Sequence, residues 1–187
     1  MDNLPPSLAQ NPNVVLIHAG TNDMNPEPTV SIEGDNPAEA AKRLGYLIDT
    51  VVDALPDALV LVAMIINSCS QVQESNTLIY QQLIPGVVDD RLNEGKRVIA
   101  ADFTEIPMDE LRDCVHPTND GYKLLGDYWY DFLTQAPEEW IEDAQGPDPA
   151  RDDPNGVSSR PTLSLGLVAL LLVVHFGVGT FSRELPR

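Results

Sequence analysis

The chain has 187 residues, 43% of them hydrophobic, and a formal net charge of -18 from 29 acidic and 11 basic side chains. That length is one domain of ordinary size, and the apolar content excludes a disordered acidic chain. The charge repels phosphate backbones and anionic lipid surfaces, so it argues against nucleic-acid binding and leaves neutral substrates open.

The first 13 residues read as the end of a helix and its exit loop. Residues 1–6 have neither a basic start nor an apolar run, so they show no signal peptide. An apolar run, Val14-Val15-Leu16-Ile17, ends at Gly20. Short apolar runs without alternation read as buried parallel strands. Asn36-Pro37-Ala38-Glu39 then opens a helix, with Asn36 as cap, Pro37 at the first position and Glu39 completing a capping box. Ala40, Leu44, Leu47, Ile48, Val51, Val52 and Leu55 follow at helical spacing until Pro56.

Residues 59–66 are the second buried strand. A helix is expected from about 72 to 93, bent near Pro85 and Gly86, and a third strand over 97–103. A loop with Pro107 and Pro117 leads to a last helix over 118–133, with Tyr122, Leu125, Trp129 and Phe132 on one face. The order β-α-β-α-β-loop-α predicts a parallel sheet with helices on both faces. Ligands in such folds sit at the carboxyl ends of the strands.

From Pro137 the composition shifts. The reading divides the chain into a domain over 1–145, a Pro/Asp/Gly/Ser-rich linker over 146–161 and an apolar segment over 162–182. Within the last, the 19 positions 163–181 carry His175 as their only ionisable group, and a helix of that length matches a bilayer core. The expectation is a single-pass anchor with the domain outside. A lipid-anchor signal, with small residues near Asn155-Gly156, and a core helix are the alternatives.

Two clusters carry chemistry. Gly20-Thr21-Asn22-Asp23 directly follows a buried strand. An Asn amide there can donate to a developing oxyanion; an ordinary turn of favoured turn residues is the plainer reading. In Asp113-Cys114-Val115-His116-Pro117, His116 has the chemistry of a general base. Asp113, three residues earlier, can fold back to orient the ring. The plainer reading makes His116 a bystander at the helix start. The three histidines, His18, His116 and His175, are too scattered for a metal site, and no cofactor is expected. Cys69 and Cys114 are compatible with one disulfide or with two buried thiols.

Taken together, Val-Val-Leu-Ile-His-Ala-Gly-Thr-Asn-Asp and Asp-Cys-Val-His-Pro-Thr-Asn-Asp-Gly-Tyr resemble the SGNH/GDSL hydrolase superfamily, and more narrowly the fungal-type carbohydrate esterases of family 3, which include acetyl xylan esterases. The resemblance covers about residues 12–141. It implies a flavodoxin-like, three-layer α/β/α sandwich with strand order 2-1-3-4-5. It also implies cofactor-free hydrolysis of a carboxylic ester, often acetyl on a sugar. It makes His116 the base, Asp113 its orienting acid and Asn22 the oxyanion-hole donor, with Gly20 shaping the turn. Cys69 and Cys114 then belong to the same end of the sheet, where a disulfide would pin the catalytic loop.

One departure stands out. The family's Gly-Asp-Ser block precedes its Gly-Thr-Asn-Asp block, but only 19 residues precede Gly20 here, and Ser7, their one serine, has neither Gly-Asp nor a strand before it. The expectation is a fold lacking its first strands, at least roughly 30 residues of βαβ unit, with no nucleophile in the chain. Such a chain would leave an exposed apolar edge beside residues 14–17. The expected cause is a lost N-terminus; an evolved, catalytically dead variant is the alternative.

The expected function is a carbohydrate-deacetylating serine esterase by resemblance, inactive as written, monomeric and tethered at the cell surface. Its partner is an acylated carbohydrate. A non-catalytic, membrane-tethered glycan-binding or interaction module is the alternative, and a lipid or thioester hydrolase a weaker one.

Overall fold

The computed structural model describes residues 4–143, and the backbone of residues 169–174. In chain order the elements are α1 (Leu4–Leu8), β1 (Val14–Ala19), α2 (Pro37–Ala54), β2 (Leu59–Met64), α3 (Gln71–Asn93), β3 (Val98–Asp102), α4 (Asn119–Gln135) and β4 (Ala169–Val174). The strands form one sheet in the order β3-β2-β1-β4. All three pairings are parallel, with Val14 opposite Leu59 and Val60 opposite Val98. The α/β class and parallel sheet expected from the apolar runs are present.

The strands split their side chains by alternation, as the pleat dictates. Val15, Ile17, Ala19, Val60, Val62 and Val98 face one core, shared with Leu44, Leu47, Ile48 and Val51 of α2 and Tyr80, Ile84 and Val88 of α3. Val14, Leu59, Leu61, Ala63 and Ala101 face the other, closed by Phe103, Ile106 and Trp129 of α4. Helices therefore cover both faces of the sheet, which makes three layers. Both faces of β2 are buried, which is why 59–63 is an unbroken apolar run.

Local details differ from the sequence reading in instructive ways. Asn36 Oδ1 caps α2 by accepting from the amides of Ala38 (2.9 Å) and Glu39 (3.1 Å). The Glu39 carboxylate does not close a capping box; it accepts from Lys42 Nζ at 2.7 Å, one turn on. α3 continues through Pro85 as a single helix. Ile84 and Val88 on either side are buried, so packing holds the helix across the residue that cannot donate.

The linker over 146–161 lies outside the described residues. Of the apolar segment over 162–182, the six described residues are the strand β4, where the sequence reading expects a helix. β4 pairs with β1 along its whole length, from Val14 with Ala169 to Ala19 with Val174. The open edge expected beside β1 is thereby covered. The pairing satisfies backbone N–H and C=O groups that a bare edge of β1 would leave unpaired. Among the described residues, no helix is long and apolar enough to cross a membrane.

Candidate active site

The site forms where β1 ends. Gly20 has φ +106°, a left-handed conformation that favours glycine. It also abuts the ring of Tyr80, which would collide with any Cβ at that position. Tyr80 is buried, and its hydroxyl donates to the Ala19 carbonyl at 3.1 Å. Burial, reinforced by the negative charge of Asp23, pushes that phenol well above its ordinary pKa, so it stays a donor.

Asn22 opens the 3-10 turn Asn22–Met24 that follows. Two elements grip this turn. From α3, Gln73 Nε2 donates to the Thr21 carbonyl at 2.9 Å, and Asn76 Nδ2 donates to the Met24 carbonyl at 3.3 Å. From α2, Arg43 pairs with the buried carboxylate of Asp23. Gln73, Asn76 and Tyr80 lie at helical spacing, so one face of α3 is a clamp for the Asn22 turn. Sequence reasoning missed this clamp. The available signal was a run of polar residues, Gln73, Thr77 and Gln81, in phase with the apolar Ile84 and Val88.

The second half of the site is the loop before α4. An antiparallel bridge pairs Leu111 with Pro117, and the Arg112 amide donates to the His116 carbonyl at 2.9 Å. Thr118 caps α4 by accepting from the Gly121 amide, and its hydroxyl donates to Glu110 Oε2 at 2.9 Å. The loop is thus closed at its base. Inside it, Asp113 Oδ1 accepts from the backbone amides of His116 (2.7 Å) and Val115 (3.3 Å). His116 Nδ1 lies 2.9 Å from Asp113 Oδ2. The His116 amide, then the imidazole itself, hold the Asp113 carboxyl below the usual carboxylate range. An ionised carboxylate at Nδ1 fixes the proton there and leaves Nε2 as the basic nitrogen.

Cys69 and Cys114 form a disulfide, with their Cα atoms 4.6 Å apart. It joins the loop after β2 to the loop that carries His116. The alternative of two free thiols is not realised.

Asn22, Gly20 and His116 line one cavity of about 230 Å³. Its walls are largely apolar, with Ile66, Val115, Leu125 and Trp129 among them, and His18 and Tyr122 also line it. The two sequence clusters, 90 positions apart, are therefore brought to one pocket. Asp113 stands behind His116 and outside the lining. Among the described residues of the lining there is no serine or cysteine. Among the described residues no cluster of His, Cys, Asp and Glu is placed to hold a metal ion.

Comparison with known proteins gives the family and the fold. The family described as GDSL-like Lipase/Acylhydrolase matches residues 2–129. The structure is similar to that of a carbohydrate esterase family 3 protein from Talaromyces cellulolyticus, with TM-score 0.56 and 25% identity, covering 68% of this chain and 60% of that one. It is also similar to a family 3 carbohydrate esterase of Clostridium thermocellum, with TM-score 0.56 and 27% identity, covering 73% of this chain and 66% of the other. A curated protein of Acetivibrio thermocellus, named "Putative endoglucanase X", is 28% identical over 126 residues, which is 65% of this chain and 50% of that protein. The chain thus spans about half the length of the curated relative it matches.

Proposed function

Because the chain belongs to the GDSL-like lipase/acylhydrolase family, we propose that its pocket serves the hydrolysis of carboxylic esters, specifically acetyl esters of carbohydrate. The observation that carries this reading is that His116, paired through Nδ1 with Asp113, shares a cavity with Asn22. His116 Nε2 would take the proton from an attacking hydroxyl, and Asp113 would stabilise the imidazolium that forms. The Asn22 amide would donate to the oxyanion of the tetrahedral intermediate, a contribution of about 3 kcal/mol to the barrier. The carbohydrate assignment leans on the family 3 esterases to which the chain is similar. The disulfide fits an oxidising setting, consistent with an enzyme acting outside the cell.

No serine stands among the described residues that line the pocket. In this proposal the chain supplies base, orienting acid and one oxyanion donor, and turnover requires a serine delivered to the mouth of the pocket. The same observation favours a second reading, a pocket that binds acylated glycans without cleaving them. Labelling with a fluorophosphonate serine probe separates the two. The chain as given stays unlabelled in both. If a version extended by a Gly-Asp-Ser strand labels, and His116→Ala abolishes most of that labelling, the hydrolase reading stands. An extended version that binds acetylated xylo-oligosaccharide without labelling supports the second. Labelling of the chain as given that vanishes in Ser7→Ala would defeat both.

A further inference from the structure

Cys114, between Asp113 and the two amides that Asp113 accepts from, has φ +68°. That left-handed conformation is unfavourable for a residue with a Cβ, so something outside the loop must hold it. Two contacts do. The disulfide to Cys69 holds the side chain, and Ser68 Oγ donates to the Cys114 carbonyl at 3.0 Å. The two act on different degrees of freedom. A disulfide tethers Cβ but leaves rotation about the side-chain bonds, whereas a hydrogen bond to the carbonyl fixes the plane of the peptide that joins Cys114 to Val115.

We propose that Ser68 is a positioning residue for the Asp113–His116 pair, acting through the Cys114 carbonyl. The inference rests on reading His116 as the base. Ser68 is itself well placed for the task. It is buried, its amide donates to Glu74 Oε2 at 2.9 Å, and its hydroxyl accepts from the Ser70 amide at 3.2 Å. Glu74 lies in the first turn of α3, so the chain of contacts runs from a long helix, through Ser68, to the His116 loop. Fixing the Cys114 peptide directs the Val115 and His116 amides back onto Asp113 Oδ1. That bend also sets the carboxylate against His116 Nδ1. Arg112 is the other charged group on this carboxylate, with Nε 3.8 Å from Asp113 Oδ2, and Ser68 does not touch it.

The test compares the full chain with Ser68→Ala and Ser68→Thr, disulfide intact, by nuclear magnetic resonance. The readouts are the titration of the Asp113 carboxyl and hydrogen exchange of the His116 backbone amide, with the Val62 amide in β2 as reference. Ser68→Ala should move the Asp113 titration up towards an ordinary carboxylate. It should speed His116 exchange by about tenfold and leave Val62 unchanged, the signature of a local opening. Ser68→Thr, which keeps the hydroxyl, should restore both. Wild-type behaviour of Asp113 and His116 in Ser68→Ala overturns the proposal. So does a loss of protection that Val62 shares, since that marks a merely structural role. Neither readout uses turnover, so a chain that never labels with a serine probe still decides this point.

Discussion

The ring of Tyr80 fills the space that a side chain on Gly20 would need, and its hydroxyl donates to the carbonyl of the residue before, Ala19. One buried aromatic on α3 therefore sets both the shape and the hydrogen bonding of the turn that presents Asn22. The glycine is demanded twice over, by its φ of +106° and by the close approach.

Gly20→Ala should be strongly destabilising. The left-handed backbone costs about 1–2 kcal/mol, and the collision with Tyr80 adds about 1–3 kcal/mol of overpacking. Tyr80→Phe keeps the ring but removes the hydroxyl's bond to the Ala19 carbonyl, for a loss of about 1 kcal/mol. Chemical denaturation of the three proteins measures both. Gly20→Ala at wild-type stability would mean that the turn relaxes without Tyr80 constraining it.

The Asp113 carboxyl gives the His116 loop an acid limit. Its pKa is lower in the folded chain than its ordinary value of 3.8, chiefly through the His116 amide. The carboxylate interactions are therefore complete above that ordinary value and are lost as pH falls through the lowered one. Hydrogen exchange at the Val115 and His116 amides should accelerate, relative to the rest of the chain, only at pH below about 4. Asp113→Asn should remove this acid step. Protection of these amides, relative to the rest of the chain, that is lost through neutral pH instead would assign the loop's titration to another group.

β4 predicts how the chain behaves when its apolar segment is broken. Adjacent residues of a strand alternate in the direction of their N–H groups, so Leu170→Pro with Leu171→Pro removes at least one donor to β1. Amide exchange at Leu16 and Ile17 in the double variant should rise well above wild type, and the chain should become more prone to associate through the bared edge. If β1 stays protected, the β4 pairing does not hold the edge, and the segment is available for a bilayer.

Much of the fold was legible in the sequence because burial on two faces leaves a one-dimensional trace. The runs at 14–17 and 59–66 are apolar without alternation, and they are parallel strands with helices on either side. Asn36 and Pro37 announce the start of α2, and Asn36 caps it. The Glu39 capping box failed because a lysine one turn away competes for the carboxylate, a contact that the local motif does not weigh. The run at 163–181 reads as a helix, and its six described residues are strand β4. Apolar character states that a segment leaves water, and does not state whether lipid or a bare sheet edge receives it.

By itself the sequence singled out the candidate residues: a carboxylate three positions before a histidine, and an asparagine after a glycine at the end of a buried strand. Residue type and short spacing are enough for that, because the Asp113–His116 contact is made within a single loop. Only the tertiary structure decided that Asn22 and His116 share one cavity, that Cys69 and Cys114 join their loops, and that Tyr80, Gln73 and Ser68 hold the two halves in place. These supports act across 46 to 61 positions of sequence. They arise from which helix face packs beneath which strand end, and that is settled by the core as a whole.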